Sequence, residues 1–303
     1  MSPLKRHPKN PILTPREMPF PCYTVMNTGA TWFEDKVLLI LRVEYCDRET
    51  HFHIATSEDG IRFDIEPSPV ELPLTRVETV YGEQHHFDAR ITRIDDTYYI
   101  NYAIYLSRWG CCIATAITRD FKSFEVLPFT SEPSNRNAVL FPEKIGGHFA
   151  RLDRPQDVNG NGEIWISYSP DLQFWGRHLP LDIPHRMWNK GKSGAGAVPI
   201  RTPKGWLEIY HATAATCSSL NYYLGAALLD LEDPSKVIAA PRSYVLAAEE
   251  VYECVGQTPN VVFTGGAVAI PDGTLNVYYG GADTRLCLAQ TTVDDLVSFC
   301  LGG

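Results

Sequence analysis

Apolar and polar residues alternate along much of this chain with a period of two, the signature of half-buried strands. The alternation falls into a recurring phrase: an apolar run, a polar turn carrying Asp, then an aromatic or apolar residue. Copies read IATSEDGIRF from Ile54, ATAITRDFKSF from Ala114, ISYSPDLQFW from Ile166, GAALLDLEDPSKV from Gly225 and CLAQTTVDDLVSF from Cys287. Their aspartates, Asp59, Asp120, Asp171, Asp233 and Asp294, stand 61, 51, 62 and 61 residues apart. Between the copies lies a second phrase, alternating apolar residues around a tight turn: GATWFEDKVLLILRVE, ARITRIDDTYYINYAIY, FPEKIGGHFARLDR, AVPIRTPKGWLEIYHA and AVAIPDGTLNVYYGGA.

Five hairpins, each followed by a strand–turn unit, predict an all-β fold, a five-bladed β-propeller of about four strands per blade. No linker or low-complexity stretch interrupts the series, so residues 1–303 are expected to form a single domain. An irregular β-sandwich is the competing architecture. Steps near 60 residues exceed the ~40–50 of common propeller repeats, which predicts functional insertions between strands.

Composition narrows the function. The chain has 303 residues, 6 Trp, 15 Tyr, 13 Phe, 22 Gly and 22 Pro, a balance that favours strands and turns over helices. A net charge of −9 argues against a nucleic-acid partner, so any anion must be met by a local cationic pocket. The basic start, MSPLKRHPKNPIL, has no apolar stretch behind it, and no apolar run approaches the ~18 residues of a membrane span. Eight cysteines without CxxC spacing suit reduced thiols and a cytoplasmic location.

In a propeller the hairpin ends face one shared axis. Here they carry Arg42 and Glu44, Asp88 and Arg90, Arg151, Asp153 and Arg154, His211, and Asp283. Such charges are costly on interior strands unless they pair or meet solvent, which predicts a polar funnel. Asp88 and Arg90, two apart, share a face if extended. They read either as a structural ion pair or as an acid–base carboxylate whose pKa Arg90 lowers. A second cluster, Arg136 and Asn137 in SNRNAVLFPEKI, Arg154 in RLDRP, Lys192 in NKGKSGAG and His211 in IYHAT, offers the side chains suited to a phosphate. Two motifs fail. GKS at 191–193 lacks the first glycine of a P-loop, and His51 and His53 alternate on one face without partner cysteines, so no metal is expected.

Taken together, VMNTGA, LILRVE, SEDGI, FDARIT, NRNAVLFPEKI, RLDRP, KSGAG, GWLEIYHA, GAALLDLEDPSKVI, PNVVF and YYGGADT resemble glycoside hydrolase family 130, over nearly the whole length. Members are five-bladed propellers acting on β-mannosides, mostly inverting phosphorylases and in some cases hydrolases. The resemblance implies Asp88 as the catalytic aspartate, in a motif usually D-P-R and here Asp88-Ala89-Arg90. It implies phosphate-binding positions at Arg136, Arg154, Lys192, His211 and Tyr222. Sugar-binding positions would be Asn27, Arg42, Asn137 and Asp283, with Arg90 beside them. Inorganic phosphate would be a co-substrate, no cofactor would be needed, and a homo-oligomer is allowed.

An inverting hydrolase needs two carboxyl groups ~6.5–9.5 Å apart, whereas phosphate supplies its own nucleophile. One aspartate among several cations fits phosphorolysis of a β-mannoside, with hydrolysis or a non-catalytic sugar-binding propeller as the alternatives. The linkage, β-1,4 or β-1,2, is open. Tyr105, Trp109, Trp175 and Trp188 are candidate sugar platforms.

Overall fold

Each hairpin phrase folds as the two inner strands of one blade, and each strand–turn phrase supplies the outer part. The computed structural model describes residues 2–75, 78, 85–106, 110–217 and 219–302. β1 (Lys5–Arg6) is followed by blade 1, made of β2 (Thr24–Phe33), β3 (Lys36–Glu44), β4 (Thr50–Ser57) and β5 (Asp64–Ile65). Blade 2 has β6 (His85–Ile94), β7 (Thr97–Leu106), β8 (Gly110–Thr118) and β9 (Glu125–Val126). Blade 3 has β10 (Asn135–Leu140), β11 (Phe149–Pro155), β12 (Trp165–Ser169) and β13 (Gly176–Pro180). In blade 4 the innermost position is split between β14 (Ser193–Ala195) and β15 (Ile200–Thr202). Both pair with β16 (Gly205–Ala215), and β17 (Leu220–Leu229), β18 (Val237–Ala239) and β19 (Leu246–Ala247) complete the sheet. Blade 5 has β20 (Val262–Ala269), β21 (Leu275–Gly281) and β22 (Arg285–Thr291). The fold is a five-bladed β-propeller.

The ring closes by pairing β1 with β22, Lys5 opposite Gln290 and Arg6 opposite Ala289. The outer strand of the last blade thus comes from the start of the chain, which leaves no free edge between first and last blades. Arg6 locks the closure. Its Nε reaches Glu253 Oε1 at 2.8 Å and its Nη2 reaches Oε2 at 2.9 Å, with Glu253 fully buried in helix α1 (Val251–Cys254).

The turn aspartates work as the phrase predicts in three blades. Asp59, Asp120 and Asp171 each accept backbone N–H bonds from the residues two and three ahead, closing the turn. In blade 4 the position is held by Asp230, which accepts from Glu232 and Asp233, so Asp233 is not the equivalent residue. In blade 5 the phrase ends in helix α2 (Val293–Leu301), whose N-cap Thr292 accepts from the amide of Asp295. With β1 already in the outer place, the chain has no outer strand to add there.

Four apolar clusters fill the seams between blades 1 and 2, 3 and 4, 4 and 5, and 5 and 1. Among the described residues none of these clusters fills the seam between blades 2 and 3. It holds a buried ion pair instead, Arg151 Nη2 to Asp153 Oδ2 at 3.0 Å, with Arg151 Nη1 donating to Thr130 Oγ1 at 2.9 Å.

One irregularity repeats around the axis. The innermost strands β2, β6 and β10 each slip register in the same place, between Met26 and Gly29, Phe87 and Arg90, and Arg136 and Val139. At each slip a non-glycine residue takes positive φ: Asn27 at 45°, Asp88 at 54° and Asn137 at 58°. β20 slips as well, between Thr264 and Gly266. These are β-bulges, which turn a side chain out of the strand's alternation. The inner strands also approach closely, since a Cβ on Gly29 would lie 2.8 Å from the Ala89 carbonyl oxygen.

Arg6→Ala is expected to destabilise the protein by about 2 kcal/mol, since Glu253 keeps Tyr279 and two backbone amides but loses its counter-charge. Equilibrium denaturant unfolding measures it, and an unchanged midpoint would show that ring closure does not depend on this pair.

Candidate active site

The bulged residues converge on one cavity at the axis, of about 120 Å³. Asn27, Arg42, Asp88, Arg136, Asn137, Arg154, Lys192, Tyr222 and Asp283 line it, together with Gln156, Val261 and Phe263. Blades 1, 2, 3 and 5 give their inner strands or the ends of their hairpins to it, and blade 4 gives Lys192, just before β14, and Tyr222 on β17.

Asp88 is the centre. Its Oδ1 accepts from Asn27 Nδ2 and from Arg42 Nη1, both at 3.0 Å, and its Oδ2 accepts from Arg136 Nη2 at 2.9 Å. Burial alone would raise its pKa, but the charges of Arg42, Arg136 and Arg90 and the Asn27 bond hold it well below the usual carboxylate range. Asp88 is therefore ionised at neutral pH.

The cations divide into two layers. Arg136, Arg154 and Lys192 reach the cavity, and Lys192 is depressed by partial burial and by Arg154 and Arg136. Behind them lies His211. Its Nε2 faces Arg154 Nη1 at 3.1 Å, and because a guanidinium only donates, Nε2 accepts and the ring proton sits on Nδ1. Burial and then Arg154 push its pKa well below the ordinary value, so it is a neutral prop and not a cation. It packs on Phe263 at 4.4 Å and faces Tyr222 at 6.2 Å. A Cβ on Gly194 would fall 2.6 Å from this imidazole and 3.1 Å from Asn137 Oδ1, so the position tolerates only glycine.

Arg90 also lies behind the cavity and does not line it. Its three donor groups bond the carbonyls of Asp88 at 2.9 Å, Ala195 at 3.0 Å and Gly196 at 3.2 Å. It ties blade 2 to blade 4 beneath the site. On the other side of that peptide Glu208, fully buried on β16, accepts from Gly196 N at 3.1 Å. Burial raises the Glu208 pKa well above its ordinary 4.5, against the pull of Gly196 N–H and Arg90.

Several predicted hairpin-end charges lie elsewhere. Glu44 pairs with Arg48 at 2.8 Å and accepts from Gln257 at 3.1 Å, away from the cavity. Arg151 and Asp153 pair in the seam between blades 2 and 3 because strand alternation puts them on the face opposite Arg154. Of the aromatic candidates, Trp188 is packed among Tyr210, Tyr223 and Tyr244 and donates to the Arg242 carbonyl. Trp175 has Arg151 over its ring at 3.9 Å, and Tyr105 is 43% exposed. Trp109 lies outside the described residues. His53 is occupied by Tyr45 and the Glu66 carbonyl, and among the described residues no group of three or more His, Cys, Asp or Glu could hold a metal. No described helix is long and apolar enough to cross a membrane.

Gln156, Phe263 and Glu208 went unnoticed in the sequence. Gln156 stands two residues after Arg154, just past the end of the same strand, and that spacing could have marked it.

The cavity is set up for a polar, anionic ligand. Among its lining groups both amide atoms of Asn137, Oδ1 of Asn27 and Nε of Arg42, Arg136 and Arg154 are buried and have no partner. Buried polar groups are normally satisfied, so these await one. Fold and cavity define a propeller enzyme with one ionised carboxylate beneath a set of cations. The chain belongs to glycoside hydrolase family 130: the family described as beta-1,4-mannooligosaccharide phosphorylase matches residues 4–301. It is 35% identical to the beta-1,4-mannooligosaccharide phosphorylase of Ruminococcus albus, over 97% of this chain and 90% of that one. It is 36% identical to the 1,2-beta-oligomannan phosphorylase of Thermoanaerobacter sp., over 97% and 98%. Among solved structures, the beta-1,2-mannobiose phosphorylase of Listeria innocua in complex with beta-1,2-mannobiose superposes with a TM-score of 0.88, at 29% identity, covering 99% of both chains.

The buried carboxyl gives a pH prediction. Folded Glu208 keeps its proton to higher pH than the unfolded chain, so its stability contribution is complete below about 4.5 and is lost as pH rises toward the folded value. Glu208→Gln should melt close to wild type near pH 4.5 and at least about 3 °C above it at pH 8. A gap that does not widen with pH between those points would mean that Glu208 is ionised in the folded protein.

Proposed function

We propose that this chain is an inverting β-mannoside phosphorylase: a β-mannoside and inorganic phosphate give α-mannose 1-phosphate and a shortened acceptor. The single observation that carries this reading is the pairing of one ionised carboxylate, Asp88, with Arg136, Arg154 and Lys192 on the same small cavity. Names of relatives from several organisms, all phosphorylases of mannosides, support it.

Phosphate would sit against Arg136, Arg154 and Lys192, with the neutral Tyr222 phenol as a further donor, and His211 would hold Arg154 in place from behind. The reacting mannosyl unit would take Asn27, Arg42, Asn137 and Asp283 as hydrogen-bond partners, and Arg90 would fix the Asp88 backbone. A phosphate oxygen forms a bond to the anomeric carbon from the face opposite the leaving group. The bond from that carbon to the glycosidic oxygen breaks, and the oxygen leaves with a proton. Asp88 is the source of that proton, passed through a mannose hydroxyl.

An aspartate held so far below the usual range is a poor acid until its cations are drawn off. The incoming phosphate does this, since its negative charge competes with Asp88 for Arg136 and raises the Asp88 pKa. Phosphate binding and proton uptake at Asp88 are thereby coupled.

Hydrolysis would require a second carboxylate as base for water. Asp283 is the other carboxyl on the cavity, its pKa raised by burial, but the Arg136, Arg154 and Lys192 that share the cavity suit an anionic nucleophile, which needs no base, better than water. For linkage, the matched family description and the Ruminococcus albus relative favour β-1,4, while the Thermoanaerobacter relative and the Listeria innocua structure favour β-1,2 as the second reading.

Asp88→Asn should lower turnover by at least about 10³-fold, as expected when a general acid that also orders the site is lost. The same change removes a negative neighbour, so phosphate should bind about tenfold more tightly, read by calorimetry or by phosphate-dependent thermal stabilisation. Weaker phosphate binding in Asp88→Asn would contradict the assignment of Arg136, Arg154 and Lys192 to the anion.

A further inference from the structure

The central cavity, about 120 Å³, is too small for an oligosaccharide, since clefts that bury a drug-sized ligand run to roughly 300–1,000 Å³. A second cleft, of about 770 Å³, opens along the seam between blades 2 and 3. The two share one residue, Gln156, which lines both. Gln156 is anchored at each end: its amide N donates to the Ser134 carbonyl at 2.9 Å, and its Nε2 donates to the Gly160 carbonyl at 2.9 Å.

This seam is the one that the four apolar clusters leave unfilled. Its floor is the Arg151–Asp153 pair, and its walls mix aromatic and polar side chains, Trp165, Trp175 and Phe174 with Asn135 and His178. Phe174 is 74% exposed, which is high for a large apolar side chain, and Asn135 Oδ1 is buried without a hydrogen-bond partner. Aromatic faces beside an unsatisfied amide oxygen are what a sugar ring, apolar on its C–H faces and polar at its rim, requires.

We propose that the cleft between blades 2 and 3 receives the leaving-group end of the substrate, two or more further sugars of a β-mannosyl oligosaccharide running from the central cavity over Gln156 and past Asn135 toward Trp165 and His178. This rests on the phosphorylase reading above and goes further, because it gives the leaving chain a place in the fold and assigns chain-length preference to blade 3. Gln156 sits where the first leaving sugar passes from one space to the other.

The test is the initial rate of phosphate-dependent cleavage of β-mannosyl di-, tri- and tetrasaccharides, both linkages being assayed, by wild type, Trp165→Ala and His178→Ala. Wild-type kcat/KM should rise at least about fivefold from disaccharide to tetrasaccharide, the worth of one good contact. In both variants the tetrasaccharide-to-disaccharide ratio should fall toward one. His178 lies on the exposed strand β13, so its replacement keeps the test alive should Trp165→Ala fail to fold. Tetrasaccharide should also quench tryptophan fluorescence in wild type more than disaccharide does. Phosphorolysis with kcat/KM independent of chain length, or a ratio untouched by both variants, overturns the cleft assignment alone. Absence of phosphate-dependent cleavage of every substrate overturns the phosphorylase reading and this inference together.

Discussion

Everything at the centre of this propeller depends on one carboxylate kept ionised inside protein. Asp88 is buried, and burial by itself would neutralise it. Arg42 from blade 1 and Arg136 from blade 3 hold one oxygen each, and Asn27 joins Arg42 on the first. Three blades therefore meet on two oxygen atoms, and Arg90 carries the connection to a fourth through the Ala195 and Gly196 carbonyls. The arrangement satisfies the carboxylate with protein donors alone and is poised to change when a competing anion enters. That tension between a satisfied resting pair and an unsatisfied rim of amide and guanidinium atoms is what makes the axis a reactive site and not merely a structural hub.

The architecture was legible in the sequence because each blade repeats the same two phrases at nearly constant spacing. Arg42, Asp88, Arg154 and Asp283 of the cavity lining were legible as hairpin ends, which in a propeller must converge, whereas Asn27 and Tyr222 were named only through the family resemblance. What could not be read was depth. Asp88 and Arg90 should share a face under a period of two, but the bulge at Asp88 breaks the alternation, sending Asp88 into the cavity and Arg90 beneath it. His211 looked like a fourth cation. Only the three-dimensional contact with Arg154 shows that it must accept a bond and stay neutral. Arg151 and Asp153 were grouped with Arg154 by proximity in the chain, yet they face the neighbouring seam.

The departures from exact repetition carry the function. Blade 4 splits its inner strand, which lets Gly194 admit the His211 ring and leaves Gly196 between Arg90 and Glu208. Blade 5 ends in a helix because the start of the chain already occupies its outer edge. The seam between blades 2 and 3 exchanges apolar packing for an ion pair and a cleft that meets the axis at Gln156. Fivefold regularity builds the scaffold, and local exceptions to it shape where an anion, a reacting sugar and a leaving chain can go.

The central claim is that phosphate, not water, takes the mannosyl unit. The most direct measurement follows β-mannobiose by phosphorus and proton magnetic resonance with the purified protein, in phosphate buffer and in a phosphate-free buffer. The account predicts α-mannose 1-phosphate, formed with inversion and in step with loss of disaccharide, and negligible cleavage without phosphate. Free mannose released at the same rate in both buffers would contradict it.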